Sequence, residues 1–424
     1  MMEKIVVRGK NRISGEIDIQ GSKNSALPII AACALTRGEV KLRNCPMLTD
    51  VKAAINILEF LGAEVSVLEG GEIIIDSSEL RGYEIPEKLM REMRSSVIFT
   101  GALISRFGRA VISSPGGCEI GLRPIDLHIS SLRELGVQIK EEHGRIYCKA
   151  KKRPKGTRIT LSFPSVGATE NILLAAVCAG GVTTIINAAK EPEIVDLADF
   201  LNKCGAVISG AGESTVTVIG TNGLDGTDFS IIPDRIAAST FMAAAALTGG
   251  EIRLKKIIPM HIAPVIPVFE QMGCVVRTHD DELELKAPSR LKSMDIVRTM
   301  PYPGFPTDSQ ANIMAMSATA DGTGIIIENI VESRYKNAAQ LNKMGAKISV
   351  EGRAAVIQGV PSLFGTQVTS TDLRGGAALI VAALGADGET EISNVCQIDR
   401  GYLNIEDSFR MLGADIRREI SDET

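Results

Sequence analysis

Tryptophan is absent from the 424-residue chain, and aromatic residues of all kinds make up only 4% of it. Proteins that grip unpaired bases do so on aromatic platforms, so a single-stranded nucleic acid is a poor partner for this sequence. The formal charge of −5 argues the same for duplexes, which are held by a basic surface. No apolar run approaches the roughly 20 residues that a bilayer-spanning helix requires. The opening MMEKIVVRGK lacks the apolar core of a secretory signal. The expectation is a cytoplasmic protein that contacts no membrane and no nucleic acid.

Metal and nucleotide motifs are missing too. The eight cysteines (33, 45, 118, 148, 178, 204, 274 and 396) form no C-x-x-C pair, which leaves a zinc site or redox pair without support. Most lie within apolar stretches such as AACAL and AAVCAG, where a thiol is a small buried hydrophobe. Cys118 alone stands in a Gly-rich loop beside charged residues, PGGCEIGLRPIDLH (115–128). No G-x-x-x-x-G-K-[ST] or strand-borne G-x-G-x-x-G occurs. Neither a cofactor nor a metal is expected.

What the chain does have is a repeat. A helix-like stretch ends at LGA (61–63), LGV (135–137), CGA (204–206), MGC (272–274), MGA (344–346) and LGA (412–414), and a β-rich stretch follows. The central glycines are 74, 69, 68, 72 and 68 residues apart. Each reads as a helix C-cap. A second marker precedes it in every copy, a glycine turn into an alternating strand: TRGEV, RFGRA, AGGVT, TGGEI, ADGTG, ADGET. Ahead of that lies an Ala-rich helix such as SALPIIAACAL, STFMAAAAL or GGAALIVAAL, apolar on most faces and therefore destined for a core. Copies of about 70 residues are too large for a solenoid. Three copies closing around their buried helices make a domain and six make two, with the boundary near IIPDR, residue 230. The first strands, KIVVRGKNRISGEIDIQ, precede the first copy and are free to pair elsewhere.

Unusual polar groups stand at the start of the buried helices: Gly21-Ser22-Lys23-Asn24, Arg91 to Arg94, Asp234-Arg235, Thr307-Asp308 and Asp372-Leu373-Arg374. The second helices begin near Arg123, Arg334 and Arg400. Arg123 and Arg400 each lie 13 residues before their marker glycine (136 − 123 and 413 − 400). Guanidinium groups and Lys23 beside helix N-termini suit phosphate and carboxylate. The expectation is two facing anion-binding surfaces.

With these residues in view, the chain resembles the enolpyruvyl transferases. The matching stretches are GSKNSALP (21–28), MRSS (93–96), PGGCEIGLRPIDLH (115–128), SVGATEN (165–171), EPEIVD (191–196), PDR (233–235), FPTDSQ (305–310), TDLR (371–374) and DRGY (399–402). They run nearly from end to end. The resemblance implies a two-domain inside-out α/β barrel of six βαβαββ-type copies, three per domain. Residues 23–232 would form one domain, and 1–22 with 233–424 the other. The implied reaction moves enolpyruvate from phosphoenolpyruvate to the 3-hydroxyl of UDP-N-acetylglucosamine and releases phosphate, a step of peptidoglycan synthesis.

By the same resemblance, Lys23, Asn24, Arg123, Arg400, Arg374 and Arg334 hold phosphoenolpyruvate, with Lys23 and Arg400 also counted as catalytic. Cys118 is the acid on the donor side and Asp308 accepts the sugar hydroxyl's proton. Contacts to the nucleotide sugar fall to Arg94, Arg123, Pro124, Ile125, Asp126, Leu127, Phe163, Pro164, Ser165, Val166, Asp308 and Ile330. Asp126 and His128 are alternatively loop-fixing groups, with a structural role for His128 slightly ahead. Thr49 stands where the family frequently has Lys. The sister branch acting on 3-phosphoshikimate carries GSKS and K-x-x-E-S-D-R, where this chain reads GSKN and VESRYKN. A non-catalytic repeat protein binding nucleotide sugars would have no need of both Cys118 and Asp308. Oligomeric state is left open.

Overall fold

The computed structural model describes residues 2–68, 71–114, 125–151 and 153–421. Each copy of the repeat becomes a small sheet over a buried helix, in the order strand, helix, strand, helix, strand, strand. One sheet shows the pattern. Ile296–Arg298 lies parallel to Thr323–Ile327, which pairs antiparallel with Ala354–Gln358, and that strand with Lys347–Glu351. The same order recurs in five sheets. In the sixth, of Arg109–Ser113, Arg145–Ala150 and Val137–Glu142, a single parallel bridge from Glu84 to Val111 stands for the first strand.

The described residues divide into two compact units, those of one lying between Gly21 and Ile232 and those of the other reaching up to Gln20 and running on from Pro233. Strand borrowing explains the discontinuity. The opening segment forms two strands, and both serve the second unit: Ser14–Asp18 lies parallel to Glu251–Lys255, while Met2–Arg8 fills the gap between Glu389–Ser393 and Asp415–Ser421. In the first unit, Asp228–Ser230 returns to lie parallel to Glu39–Arg43. The first unit thus completes its first sheet with its last strand, and the second completes its first and last sheets with strands from the opening segment.

Each unit has its own hydrophobic core, built on three Ala-rich helices: Lys23–Cys33, Phe99–Phe107 and Val166–Ala176 in the first, Arg235–Leu247, Gln310–Ser317 and Leu373–Gly385 in the second. Every residue of Gln310–Ser317, QANIMAMS, is buried, so this helix packs on all sides. The strands outside them alternate buried with exposed residues, as a sheet with one wet face must. The six marker glycines, Gly62, Gly136, Gly205, Gly273, Gly345 and Gly413, all have φ between 85° and 105°. That is the left-handed C-cap geometry, which a Cβ disfavours. Of the cysteines, Cys33, Cys45, Cys148, Cys204 and Cys274 are buried, which pushes their thiols well up and leaves them inert; Cys396 is exposed.

Helix packing in the first unit depends on one further glycine. A Cβ on Gly101 would lie 2.3 Å from the carbonyl oxygen of Asn171 and 2.4 Å from its Oδ1, on the neighbouring buried helix. Gly101→Ala is therefore expected to overpack the contact, costing about 1–3 kcal/mol. A lowered Tm by calorimetry would bear this out; an unchanged Tm would refute it.

Candidate active site

In the first unit, Lys23 opens its buried helix and is only 7% exposed. A buried ammonium needs a countercharge, and Asp50 supplies it with Oδ2 at 2.6 Å from Nζ. Asp50 sits in the first turn of the helix Thr49–Leu61, where its charge also complements the helix dipole. Sequence reasoning missed Asp50, although an acidic residue opening an amphipathic helix inside PMLTD was a readable signal. Asn24 beside Lys23 is half-buried.

The proposed sugar-nucleotide contacts cluster around two helix starts. Ile125, Asp126 and Leu127 begin the helix Asp126–Glu134, and Phe163, Pro164, Ser165 and Val166 lead into Val166–Ala176. Ser165 caps the latter, its hydroxyl accepting from Ala168 N–H at 3.3 Å. His128 joins the two helix starts, with its ring edge against Gly167. The amide of Asn171 fixes the imidazole. Asn171 Oδ1 accepts from Gly101 N–H at 2.6 Å, so Nδ2 is the donor, to Val97 O at 3.2 Å and to His128 Nδ1 at 3.0 Å. The His128 proton is thereby assigned to Nε2. Burial, and then the Arg94 charge, lower the His128 pKa to about 4, so the ring is neutral at pH 7. Arg94 starts a short 3-10 turn, half-buried.

Two buried carboxyls near these helices went unnoticed in the sequence. Asp196 accepts from the Ser25 hydroxyl, and burial raises its pKa to about 6. Burial, with repulsion from Glu193 and Glu191, raises Glu170 well above the ordinary range. Cys118, Arg123 and Pro124 lie outside the described residues.

The second unit brings Asp308, Arg334 and Arg374 together. Asp308 Oδ1 accepts from Arg334 Nη2 at 2.9 Å and from Arg374 Nε at 3.1 Å. Both arginine side chains are almost fully buried, at 3% and 4% exposure, while Asp308 keeps 30%. Burial by itself would raise the pKa of the carboxyl. The charges of Arg374, Arg334 and Arg235 outweigh it and hold the group far below the usual carboxylate range. Three guanidiniums thus act on this one carboxylate, and the Asp234 carboxylate acts in turn on Arg374.

The supporting groups explain why this cluster holds its shape. Arg374 Nη1 reaches the Tyr402 hydroxyl at 3.3 Å, and that hydroxyl is 2.7 Å from Thr240 Oγ1. Asp372 and Asp234 cap their helices through backbone N–H groups, Asp372 accepting from Arg374 itself. Thr307 does not cap the following helix as its position suggests. Thr307–Ser309 form a 3-10 turn, and the Thr307 hydroxyl donates to Glu328 Oε2 at 2.9 Å instead. Glu328 Oε1 accepts from Thr299 Oγ1 and from the N–H groups of Ile330 and Val331. One buried carboxylate thus ties the turn bearing Asp308 to the loop bearing Ile330, a link no local pattern reveals. Arg400 is half-buried, with Nη1 donating to Gln397 Oε1 at 3.3 Å. Among the described residues no cluster of three or more His, Cys, Asp or Glu is placed to hold a metal ion, and no helix is long and apolar enough to cross a membrane.

Comparison with known proteins gives a consistent answer. The family model of EPSP synthase (3-phosphoshikimate 1-carboxyvinyltransferase) matches residues 7–409. UDP-N-acetylglucosamine 1-carboxyvinyltransferase 2 of Caldanaerobacter subterraneus subsp. tengcongensis is 48% identical over 417 residues, covering 98% of this chain and 100% of that protein. UDP-N-acetylglucosamine 1-carboxyvinyltransferase of Finegoldia magna is 47% identical over 424 residues, covering 99% and 100%. The crystal structure of the enolpyruvyl transferase NikO from Streptomyces tendae superposes with a TM-score of 0.88 at 26% identity, covering 98% of this chain and 99% of that one. An EPSP synthase from Acinetobacter baumannii, at 18% identity and a TM-score of 0.74 over 99% and 100% of the two chains, shares the fold.

The arginine–aspartate cluster has a pH signature. Asp308 is more acidic folded than unfolded, so its stabilisation is fully present above the ordinary value of 3.8 and declines as pH falls below it. Asp308→Asn strands two buried guanidiniums and is expected to cost on the order of 1–3 kcal/mol at pH 7, less than a fully buried pair because Asp308 meets solvent. Urea denaturation should show the gap between wild type and variant narrowing from pH 7 to pH 3; an equal gap at both would refute the pairing. Proton NMR should find the His128 ring titrating near pH 4; a midpoint near 6.5 would contradict the assigned burial and tautomer.

Proposed function

This chain belongs to the EPSP synthase family, the enolpyruvyl transferases, and from that membership we propose that it performs the reaction its curated relatives are named for. It transfers the 1-carboxyvinyl group of phosphoenolpyruvate to the 3-hydroxyl of UDP-N-acetylglucosamine and releases phosphate. This is the first committed step of peptidoglycan synthesis. Both substrates are polyanions that do not cross bilayers unaided, which fits action in the cytoplasm. The observation that carries the reading within the second unit is Asp308 hydrogen-bonded to the buried Arg334 and Arg374, with the Arg235 charge also acting on it.

The residue roles follow from the charge the reaction moves. Lys23, Arg123, Arg400 and Arg374 neutralise the phosphate and carboxylate of the donor, with Asn24 as a hydrogen-bonding partner and Arg334 as a further cation. Cys118 protonates the methylene carbon, which builds positive character on the adjacent carbon. The sugar oxygen bonds to that carbon while its proton passes to Asp308. Phosphate then leaves as a methyl proton returns to the Cys118 thiolate, which restores the double bond and the acid. Arg94, Ile125, Asp126, Leu127, Phe163, Pro164, Ser165, Val166 and Ile330 contact the nucleotide sugar.

Asp308 as found is too acidic to be an effective base. An anionic donor competes for the same guanidiniums, and each arginine turned towards it weakens the hold on Asp308. The carboxylate then regains basicity when substrate is present, which couples the base to the reaction it serves.

Mass spectrometry of reactions containing phosphoenolpyruvate, UDP-N-acetylglucosamine and the competing acceptor 3-phosphoshikimate should detect only enolpyruvyl-UDP-N-acetylglucosamine. Enolpyruvylshikimate phosphate in its place would move the chain to the sister activity. Asp308→Asn is expected to lower kcat by about 10²–10⁴-fold with nucleotide-sugar binding nearly unchanged. An epoxide phosphonate shaped like the donor should alkylate Cys118, faster with the nucleotide sugar present; a label mapped to another cysteine would remove Cys118 from the mechanism.

A further inference from the structure

The three buried helices of the first unit start near the groups described above and finish at a different place. Past their C-terminal ends lies a cavity of about 780 Å³, bordered by Leu35, the segment from Ser105 to Arg109, and Cys178. The helix Lys23–Cys33 has 11 residues, so at 1.5 Å per residue the cavity lies about 16 Å from the Lys23 end. Five cationic side chains line it, Arg37, Arg106, Arg109, Lys149 and Arg153, and no carboxylate is among the described lining residues.

Part of this charge has a structural task. Arg106 donates to the carbonyls of Ala34 and Thr36 at 3.0 Å, and to those of Ser77 at 2.7 Å and Ser78 at 3.1 Å. Arg153 bonds the carbonyls of Cys178 and Thr221, and Asn222 Oδ1 at 2.9 Å. These bonds satisfy chain ends that helices leave open. They bring neutral acceptors, so both guanidiniums keep their net charge. Arg37 and Lys149 make no hydrogen bond or ion pair among the described residues, and Arg109 is stacked over the Tyr83 ring, its guanidinium carbon 3.8 Å from the ring centre. Burial, and then the nearby Arg37, push the Arg106 guanidinium down from its usual value, a mark of unrelieved like charge. On the same wall the Ser105 hydroxyl is buried with no hydrogen-bond partner.

We propose that this cavity is a second binding site, distinct from the transferase residues, for a small soluble anion carrying at least two phosphate groups. Guanidiniums bind phosphate oxygens in pairs, and several phosphates are needed to balance five cations. The volume matches a small-molecule pocket, and the orphaned Ser105 hydroxyl supplies a neutral donor at its wall. Arg106 and Arg153 are pre-positioned by their carbonyl bonds, while Arg37, Arg109 and Lys149 are exposed and able to close on the ligand.

Inorganic pyrophosphate is the probe. Calorimetric titration at 0.15 M salt should show binding that the triple variant Arg37→Gln, Arg109→Gln, Lys149→Gln weakens by roughly 100-fold or more, given the strength of charge-assisted hydrogen bonds. These three side chains make none of the carbonyl contacts, so the variant should keep the wild-type Tm. In the wild type, pyrophosphate should protect Arg37 and Arg109 from phenylglyoxal, read by peptide mass mapping. The proposal is overturned by wild-type protein that binds no pyrophosphate at millimolar concentration, by a triple variant that binds as tightly as wild type, or by Arg37 and Arg109 labelled equally with and without the probe. Sedimentation with phosphatidylglycerol vesicles, lost in the triple variant and unaccompanied by pyrophosphate binding, would likewise replace the soluble ligand with a lipid headgroup.

Discussion

A helix that is apolar on every face can exist in water only if something encloses it, and this constraint organises each unit. The six Ala-rich helices of the repeats are covered by their own sheets and by one another. Their flanks are unavailable for polar chemistry, so polar and charged residues are driven to the ends. At the starts stand Lys23, Ser165, Asp234, Asp308 and Asp372. At the finishes of the first unit's helices stand Arg106 and Arg153, bonded to carbonyls that the helices and adjoining turns leave open. Function is confined to the rims because the interior is committed to packing.

The two units answer the cost of buried charge differently. Lys23 is ion-paired with Asp50, both nearly out of solvent. In the other unit a single aspartate faces several arginines, two of them bonded to it. A carboxylate shared between two buried guanidiniums is held strongly ionised, so the acidity of Asp308 reflects the arginines folded against it.

Second-layer groups decide how rigid these arrangements are. Glu328 satisfies Thr299, Thr307, Ile330 and Val331 at once, so the turn that carries Asp308 cannot shift without breaking several hydrogen bonds. Asn171 performs a comparable task in the other unit, joining Gly101, Val97 and His128 through one side-chain amide. The close approach at Gly101 makes that bond possible, since any larger residue would push the two helices apart. Packing and polar positioning are here the same contact.

Local patterning made the repeat legible: glycine C-caps every 68 to 74 residues, turn-and-strand markers and Ala-rich helices are each short-range effects of backbone sterics and burial. The left-handed φ at all six marker glycines follows from what the residues themselves permit. FPTDSQ and TDLR carry Asp308 and Arg374, but that these two side chains meet is not written in either stretch. Where the opening strands pair was not legible, because strand partnership is set by which sheet edge is left unfilled: Met2–Arg8 completes a sheet whose other strands begin more than 360 residues later. Nor were Asp196 and Glu328 legible, since a carboxyl gains its role from the charge or donor that folding sets beside it. The sequence by itself determined the repeat, the helices that must be buried and the residue types available for anion chemistry. Only the tertiary structure decided which charges are paired, which hydrogen bonds are made and how acidic Asp308 is, because electrostatic energies depend on distances and burial that no linear order of residues contains.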